Sequence, residues 1–303
     1  MKITIAGGSS FIGKRLIPIL VQQGKHEITV VIRESSDYHK ALRNFKNITV
    51  VRSEMDNYHQ LGKIVKSGDC FINLSWFGSR GNSRMDHEIQ RYNYLCTMDA
   101  MRSMADNGYK ILVSSGSQAE YGQINDVITE TTIPSPNTEY GQYKLKIFEE
   151  TSELSSSYGC RFLEPRYFSL YGPGDYKKTL IMSCLIKMLK NEDIILNSCL
   201  QLWDYLFVDD AVNGLIRLIE NKEASGAFNF ASGNSFTIRD YIQEMEGILN
   251  SKSHVVFDSS KDFEGQIINL RADTSHLLKY ADGWKPSTSF QEGITITANS
   301  LKD

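Results

Sequence analysis

Tyr140 and Lys144 stand four residues apart in "NTEYGQYKLKIFEE", at the start of an amphipathic helical pattern. That spacing puts both side chains on one helix face, one turn apart. A free phenol titrates near about 10, and an ammonium beside it stabilises the phenolate, which brings proton transfer closer to neutral pH. A tyrosine-lysine pair at this spacing also arises by chance, so its meaning rests on a cofactor fold and a hydroxyl partner elsewhere in the chain. Ser117 ends the strand-like run "YKILVSSGSQ". Strand ends of a doubly wound sheet are where ligands gather, and Ser117 is close enough in sequence to line the same crevice as Tyr140.

The elements that must position these groups begin with "ITIAGGSSFIGKRL", a strand, a glycine turn and a helix start. Gly7 and Gly13 frame Ser9, Ser10, Phe11 and Ile12. Such a turn lets a pyrophosphate approach backbone amides at a helix N-terminus. A middle glycine is expected at Ser10 and is absent. The second strand ends in "VVIRESS", where Arg33, with Ser35 and Ser36 beyond, suits a ribose 2′-phosphate and favours NADP(H) over NAD(H), although Glu34 is also in reach of a ribose. Glu54, Leu74 and Tyr167 are expected to complete the cofactor contacts.

The first half alternates β-branched runs ("KITIAG", "HEITVVI", "NITVVR", "DCFINLS", "YKILVSS") with helical periodicity, notably over 12–23 and 88–107. This predicts an α/β, Rossmann-type doubly wound parallel sheet. The dinucleotide-binding domain is expected over 1–168 plus about 200–229. A smaller, discontinuous α/β substrate lobe is expected over about 169–199 plus 230–303. Basic and acidic residues number 33 and 36 with no long run of either sign, which argues against a nucleic-acid or polybasic membrane surface. Five cysteines without a C-x-x-C suit neither a disulfide framework nor a zinc ribbon. No stretch is apolar enough to span a bilayer, the first strand pattern begins at Lys2, and a cytoplasmic location is expected. No metal site is expected, because "HEIQR" ends in Arg91 where a zincin helix needs histidine. Asp209 and Asp210 in "VDDAV" are expected as N-cap and dipole partners of a helix.

The glycine loop, "SSGSQAEYG", "YGQYK", "RYFSLYGPGD", "DYLFVDDAV" and "GWKP" occur in this order over nearly the whole chain. As a set they resemble the extended short-chain dehydrogenase/reductase family, in its epimerase and dehydratase branch acting on nucleotide sugars. The resemblance implies that Tyr140 is the general acid/base, that Lys144 lowers its pKa and holds the nicotinamide ribose, and that Ser117 hydrogen-bonds the reacting oxygen. It also implies a homodimer through helices near 88–107 and 138–156, where Ile89, Tyr92, Leu95, Met98, Met101 and Met104 put apolar groups on more than one side.

Absences narrow the chemistry. Dehydratases of this family carry an acidic pair directly after the hydroxyl residue, and decarboxylating members carry a glutamate at the second of those positions; here stand Gln118 and Ala119. Neither moves a proton. Glu120 is one step further, its side chain directed elsewhere if the segment is extended. The 3,5-epimerising reductases need a cysteine and a histidine where this chain has Ala119 and Gly174. What is left is hydride and proton transfer at a single carbonyl or carbinol, and the family members this combination most resembles use NADP(H) to reduce the C4 keto group of a nucleotide-linked 6-deoxy or 3,6-dideoxy hexose in surface-polysaccharide synthesis. A sugar 4-epimerase and a non-enzymatic dinucleotide sensor are the alternatives. Trp76, Gln118, Ser169, Trp203 and Arg271 are expected at the substrate; Ser169, Trp203 and Phe263 stand where relatives have asparagine and arginines.

Overall fold

The computed structural model describes residues 1–262 and 269–302; Phe263 lies outside the described residues. Its main sheet runs in the order Gly226–Phe230, Arg161–Tyr167, Ile111–Ser114, Cys70–Asn73, Lys2–Ala6, Glu27–Ile32, Ile48–Arg52, with the two-residue strand Gly116–Ser117 also paired to Arg161–Tyr167. Every pairing in it is parallel. Parallel strands covered on both faces read as continuous apolar runs, and Cys70–Asn73 is buried at all four positions.

Strand order reverses between Lys2–Ala6 and Cys70–Asn73, whose last residues, Ala6 and Asn73, are in register. A crevice opens beyond the carboxyl ends of strands at such a switch point. Gly7, Arg33, Leu74 and Ser115 all follow directly on those ends. One face of the sheet packs Leu16, Ile17 and Leu20 of the helix Phe11–Gln23 against Leu215 and Ile219 of the helix Val208–Glu220. The other packs Met101 and Met104 of the helix His87–Asp106 against Phe71, Leu112 and Phe162. Those two methionines are core residues and add nothing to an outer apolar face, whereas Tyr92 and Leu95 are exposed.

A separate apolar cluster joins Met182 and Leu185 of the helix Leu180–Lys190, Ile242 and Met245 of Ile238–Leu249, and Ile294 of Phe290–Asn299. Leu277, Ala281 and Trp284, from the segment between the last two of these helices, pack instead in the core of the main sheet.

The helix Val208–Glu220 is capped by Phe207, not by either aspartate. Asp209 and Asp210 lie in its first turn, where the dipole favours them. Asp209 is taken by a bidentate pair with Arg15, and buried Asp210 accepts from Ser287 Oγ and the Thr288 amide. Both are thereby fixed as fasteners between chain segments.

Candidate active site

The glycine turn is built by close approach. Gly7 has φ +76°, and a Cβ there would lie 2.6 Å from the backbone of Leu74 and Ser75. At Gly13 a Cβ would lie 2.8 Å from the carbonyls of Gly7 and Gly8. No glycine is required at Ser10, which is extended (φ −68°) and whose hydroxyl caps the helix by accepting from the Gly13 amide at 3.1 Å. The cap leaves the amides of Phe11 and Ile12 without a hydrogen-bond partner among the described residues. Both residues line the same cavity as Leu74, so these two free amides suit a pyrophosphate. Ser9 is half-buried in the turn itself.

At the other end of the crevice Arg33 is exposed; its carbonyl accepts from the Ser36 amide, while its guanidinium has no hydrogen-bond or ion-pair partner among the described residues. Glu34 lies 3.7 Å from Arg52, which also donates to the Glu34 carbonyl. Glu54 accepts the Glu34 amide at 2.9 Å.

The helix Glu139–Tyr158 starts on Thr138, whose hydroxyl accepts from the Gly141 amide. A Cβ on Gly141 would lie 2.3 Å from the Ala119 carbonyl, so glycine here lets the helix press onto the turn that follows Ser117. Tyr140, Lys144 and Ser117 are all buried and all line one cavity of about 660 Å³. Burial raises the Tyr140 phenol above its ordinary value, while the Arg84 guanidinium and a hydrogen bond with Ser117 pull it back down. Lys144 Nζ donates to the Ser115 carbonyl at 2.6 Å and sits 3.6 Å from the centroid of the Trp76 ring. Burial lowers its pKa to about 8, opposed by the carboxyl groups of Glu120 and Glu164.

Trp76 is thus a cavity wall that meets Tyr140 edge-on at 5.7 Å. Gln118 lines the cavity with its Oε1 buried and without a partner, as does the Tyr167 hydroxyl. Ser169 and Trp203 also line it, but they bond to each other, Trp203 Nε1 donating to Ser169 Oγ at 2.7 Å. Arg271 lines neither this cavity nor the one beside it. Its Nε is buried and has no partner among the described residues.

Two arginines that sequence reasoning missed face the site. Arg80 pairs with buried Asp175 at 2.9 Å, and Arg84 lies 4.7 Å from the Tyr140 ring centroid. Arg80 precedes and Arg84 lies within the short 3₁₀ turn Gly81–Met85, where neither helical nor strand periodicity marks a face. Glu120 was expected to point away on an extended segment. Residues Gln118–Glu120 form a 3₁₀ turn instead, and its carboxylate turns inward, accepting the Ser117 amide at 2.7 Å.

Residues 3–231 match the family described as NAD dependent epimerase/dehydratase. Among curated proteins, the dTDP-4-dehydro-6-deoxyglucose reductase of Escherichia coli is 23% identical over 99% of this chain and 97% of that protein. The dTDP-6-deoxy-L-talose 4-dehydrogenase (NAD(+)) of Aggregatibacter actinomycetemcomitans is 24% identical over 83% of this chain and 92% of its own. Among solved structures, a UDP-glucose 4-epimerase with UDP-glucose from Thermotoga maritima superposes with TM-score 0.88 at 21% identity, covering 100% of this chain and 99% of that one. A UDP-N-acetylglucosamine 4-epimerase from Methanobrevibacter ruminantium gives 0.89 at 22%, covering 99% and 98%. At these identities the structures share the fold.

The Lys144 geometry has a pH signature. Its pKa is about 8 in the folded chain against 10.5 for an ordinary lysine, so between those values the unfolded chain binds the extra proton. Stability contributed through this group therefore rises with pH across that window, the burial penalty on the ammonium being fully present below pH 8. In chemical denaturation the stability of the wild type relative to Lys144→Met should increase between pH 8 and 10; a flat difference would mean that Lys144 is not depressed.

Proposed function

The chain belongs to the NAD dependent epimerase/dehydratase family, and from that premise we propose that it is an NADP(H)-dependent reductase of the C4 keto group of a nucleotide-linked 6-deoxy or 3,6-dideoxy hexose, acting in the cytoplasm in surface-polysaccharide synthesis. The observation that carries this reading is the convergence of Tyr140, Lys144 and Ser117 on one cavity whose neighbouring positions, Gln118 and Ala119, hold no acid. The E. coli reductase of comparable length supports it. On this reading residues 1–168 with about 200–229 hold the cofactor, and most of 169–199 and 230–303 hold the substrate.

The uncapped amides of Phe11 and Ile12 fit the pyrophosphate of a nicotinamide dinucleotide, and Lys144 lies where a ribose would be held. When bound, that cofactor supplies the hydride. Ser117 donates to the substrate carbonyl oxygen and keeps it against the phenol. Tyr140, held above its ordinary pKa by burial, is protonated at neutral pH and delivers its phenolic proton to that oxygen as negative charge develops. Lys144 stabilises the phenolate left behind. Trp76 closes the wall and excludes water.

A 4-epimerase is the second reading, favoured by the two solved structures above. A reductase consumes NADPH one-to-one with a 4-keto nucleotide sugar, and Tyr140→Phe should lower kcat by about 10²–10⁴-fold without changing the fold. Interconversion of two 4-hydroxy sugars on retained NAD, with no net change in cofactor absorbance, would replace the reductase reading with the epimerase. A dinucleotide sensor has no use for the tyrosine-lysine pair and would show neither activity.

The unpaired Arg33 supports NADP(H). Arg33→Ala should weaken NADPH binding roughly 10- to 100-fold, the scale of a hydrogen bond to a charged group, and leave NADH nearly unchanged in fluorescence titration. Equal losses for both cofactors would remove the 2′-phosphate role.

Exposed Tyr92 and Leu95, on the helix that packs beside Glu139–Tyr158, support a homodimer through these two helices. Light scattering should give twice the chain mass, and Leu95→Glu should halve it; a wild-type monomer across micromolar concentrations would reject the pairing.

A further inference from the structure

A second cavity, of about 650 Å³, adjoins the first. Its walls include Leu196, Ile238 and the surface-exposed Ile195, an apolar slot suited to a flat base. Arg84, Gln118, Leu180 and Trp203 line both cavities and so mark their junction. Arg84 is the charged member of that set. Apart from the face of Tyr140, its guanidinium has no hydrogen-bond or ion-pair partner among the described residues. The neighbouring cations are already engaged, Arg80 by Asp175 at 2.9 Å and Lys144 by the Ser115 carbonyl at 2.6 Å. A half-buried guanidinium without a counter-ion is costly unless a ligand brings the anion.

A second feature points to the same anion. The helix Leu180–Lys190 begins at this junction, and its N-cap residue Thr179 gives the helix no side-chain hydrogen bond, its hydroxyl donating to Asp175 instead. The first-turn amides are therefore uncapped where the dipole favours negative charge. An anion here lies between a site for a base and the reacting phenol.

We propose that Arg84 is a specificity-determining residue that grips the diphosphate of the substrate at this junction, with the base outward in the second cavity and the sugar inward at Tyr140. The assignment rests on the nucleotide-sugar reading above and adds to it the group that recognises the diphosphate. Trp203, its Nε1 committed to Ser169, closes the side of the junction it lines as an apolar surface.

The test is equilibrium binding by calorimetry on the full chain, which keeps the readout apart from Tyr140 chemistry. The probes are UDP, dTDP, GDP and CDP, each paired with its nucleoside. At least one diphosphate should bind the wild type, and Arg84→Met should weaken it by on the order of 10- to 100-fold while the matching nucleoside binds as before. Arg84→Lys should recover part of the loss, since a point charge replaces a fork of donors. A diphosphate that binds wild type and Arg84→Met equally overturns the role of Arg84 and leaves the nucleotide-sugar reading intact. If none of the four binds the wild type, the nucleotide reading itself fails and this inference falls with it. Circular dichroism checks folding, and Arg84→Gln is read in place of Arg84→Met if the latter does not fold.

Discussion

A single buried guanidinium holds the site together. Arg166 Nε donates to Glu164 Oε1 at 3.0 Å and lies 2.7 Å from Glu120 Oε2, with all three side chains almost wholly removed from solvent. Its plane also faces the rings of Tyr121 and Phe148, each 4.8 Å from centroid to Cζ. Taking such charges out of water costs several kcal/mol per ion and is offset only when the geometry is good and the remaining atoms are bonded. Here the second oxygen of Glu120 accepts the Ser117 amide, so the cluster reaches Ser117 through one hydrogen bond. Gly116 makes room for it: a Cβ there would lie 2.7 Å from Glu164 Cγ and 2.9 Å from Glu120 Oε1. Removing Glu120 would leave Arg166 short of a partner and Ser117 without its anchor, two losses from one side chain.

The same cluster tunes the helix opposite. Lys144 is buried, which by itself favours the neutral amine, and the two carboxyl groups beneath it act in the other direction. Burial and the adjacent Glu120 push Glu164 well above the usual carboxylate range, so that member of the pair favours its protonated form. The result is an ammonium that is held but weakly, with the Ser115 carbonyl as its nearest acceptor. Tyr140 feels the opposite balance: burial raises its phenol, and Arg84 and Ser117 lower it. The acid strength of this phenol is therefore set by burial against the Ser117 hydroxyl and two cations, Arg84 and Arg80, in and beside the turn Gly81–Met85.

The sheet and the main helices were legible because parallel strands buried on both faces leave unbroken apolar runs, and the glycine turn because close backbone approach tolerates no Cβ at Gly7 or Gly13. Tyr140, Lys144 and Ser117 were singled out by spacing and family likeness, and the fold brings them to one cavity. What escaped lies in short irregular turns. The serine at position 10 read as a missing glycine, yet it is the helix cap, a role visible in the pattern of serine before an apolar helix start. Glu120 was misdirected by assuming an extended segment, whereas a three-residue turn reverses the direction of its side chain. Arg84 had no signal, since a lone arginine in an aperiodic stretch looks like a solvated one until its neighbours in space are known. Ser169 and Trp203 were read one at a time as ligand contacts; that they bond to each other is a tertiary fact, joining residues 34 apart in sequence.

The arrangement of carboxylates limits what the cavity can do. Among the described residues Asp175 is the carboxylate that lines it. Its Oδ1 accepts from Arg80 and the Tyr176 amide, and its Oδ2 from Thr179 Oγ1. Burial raises its carboxyl above the ordinary value against the pull of Arg80, the Tyr176 amide and Thr179, and protonation would cost at least one of those three hydrogen bonds. Glu120 and Glu164 are buried and both paired to Arg166. Gln118 Oε1 and the Tyr167 hydroxyl are buried polar atoms on the same wall that have no partner among the described residues.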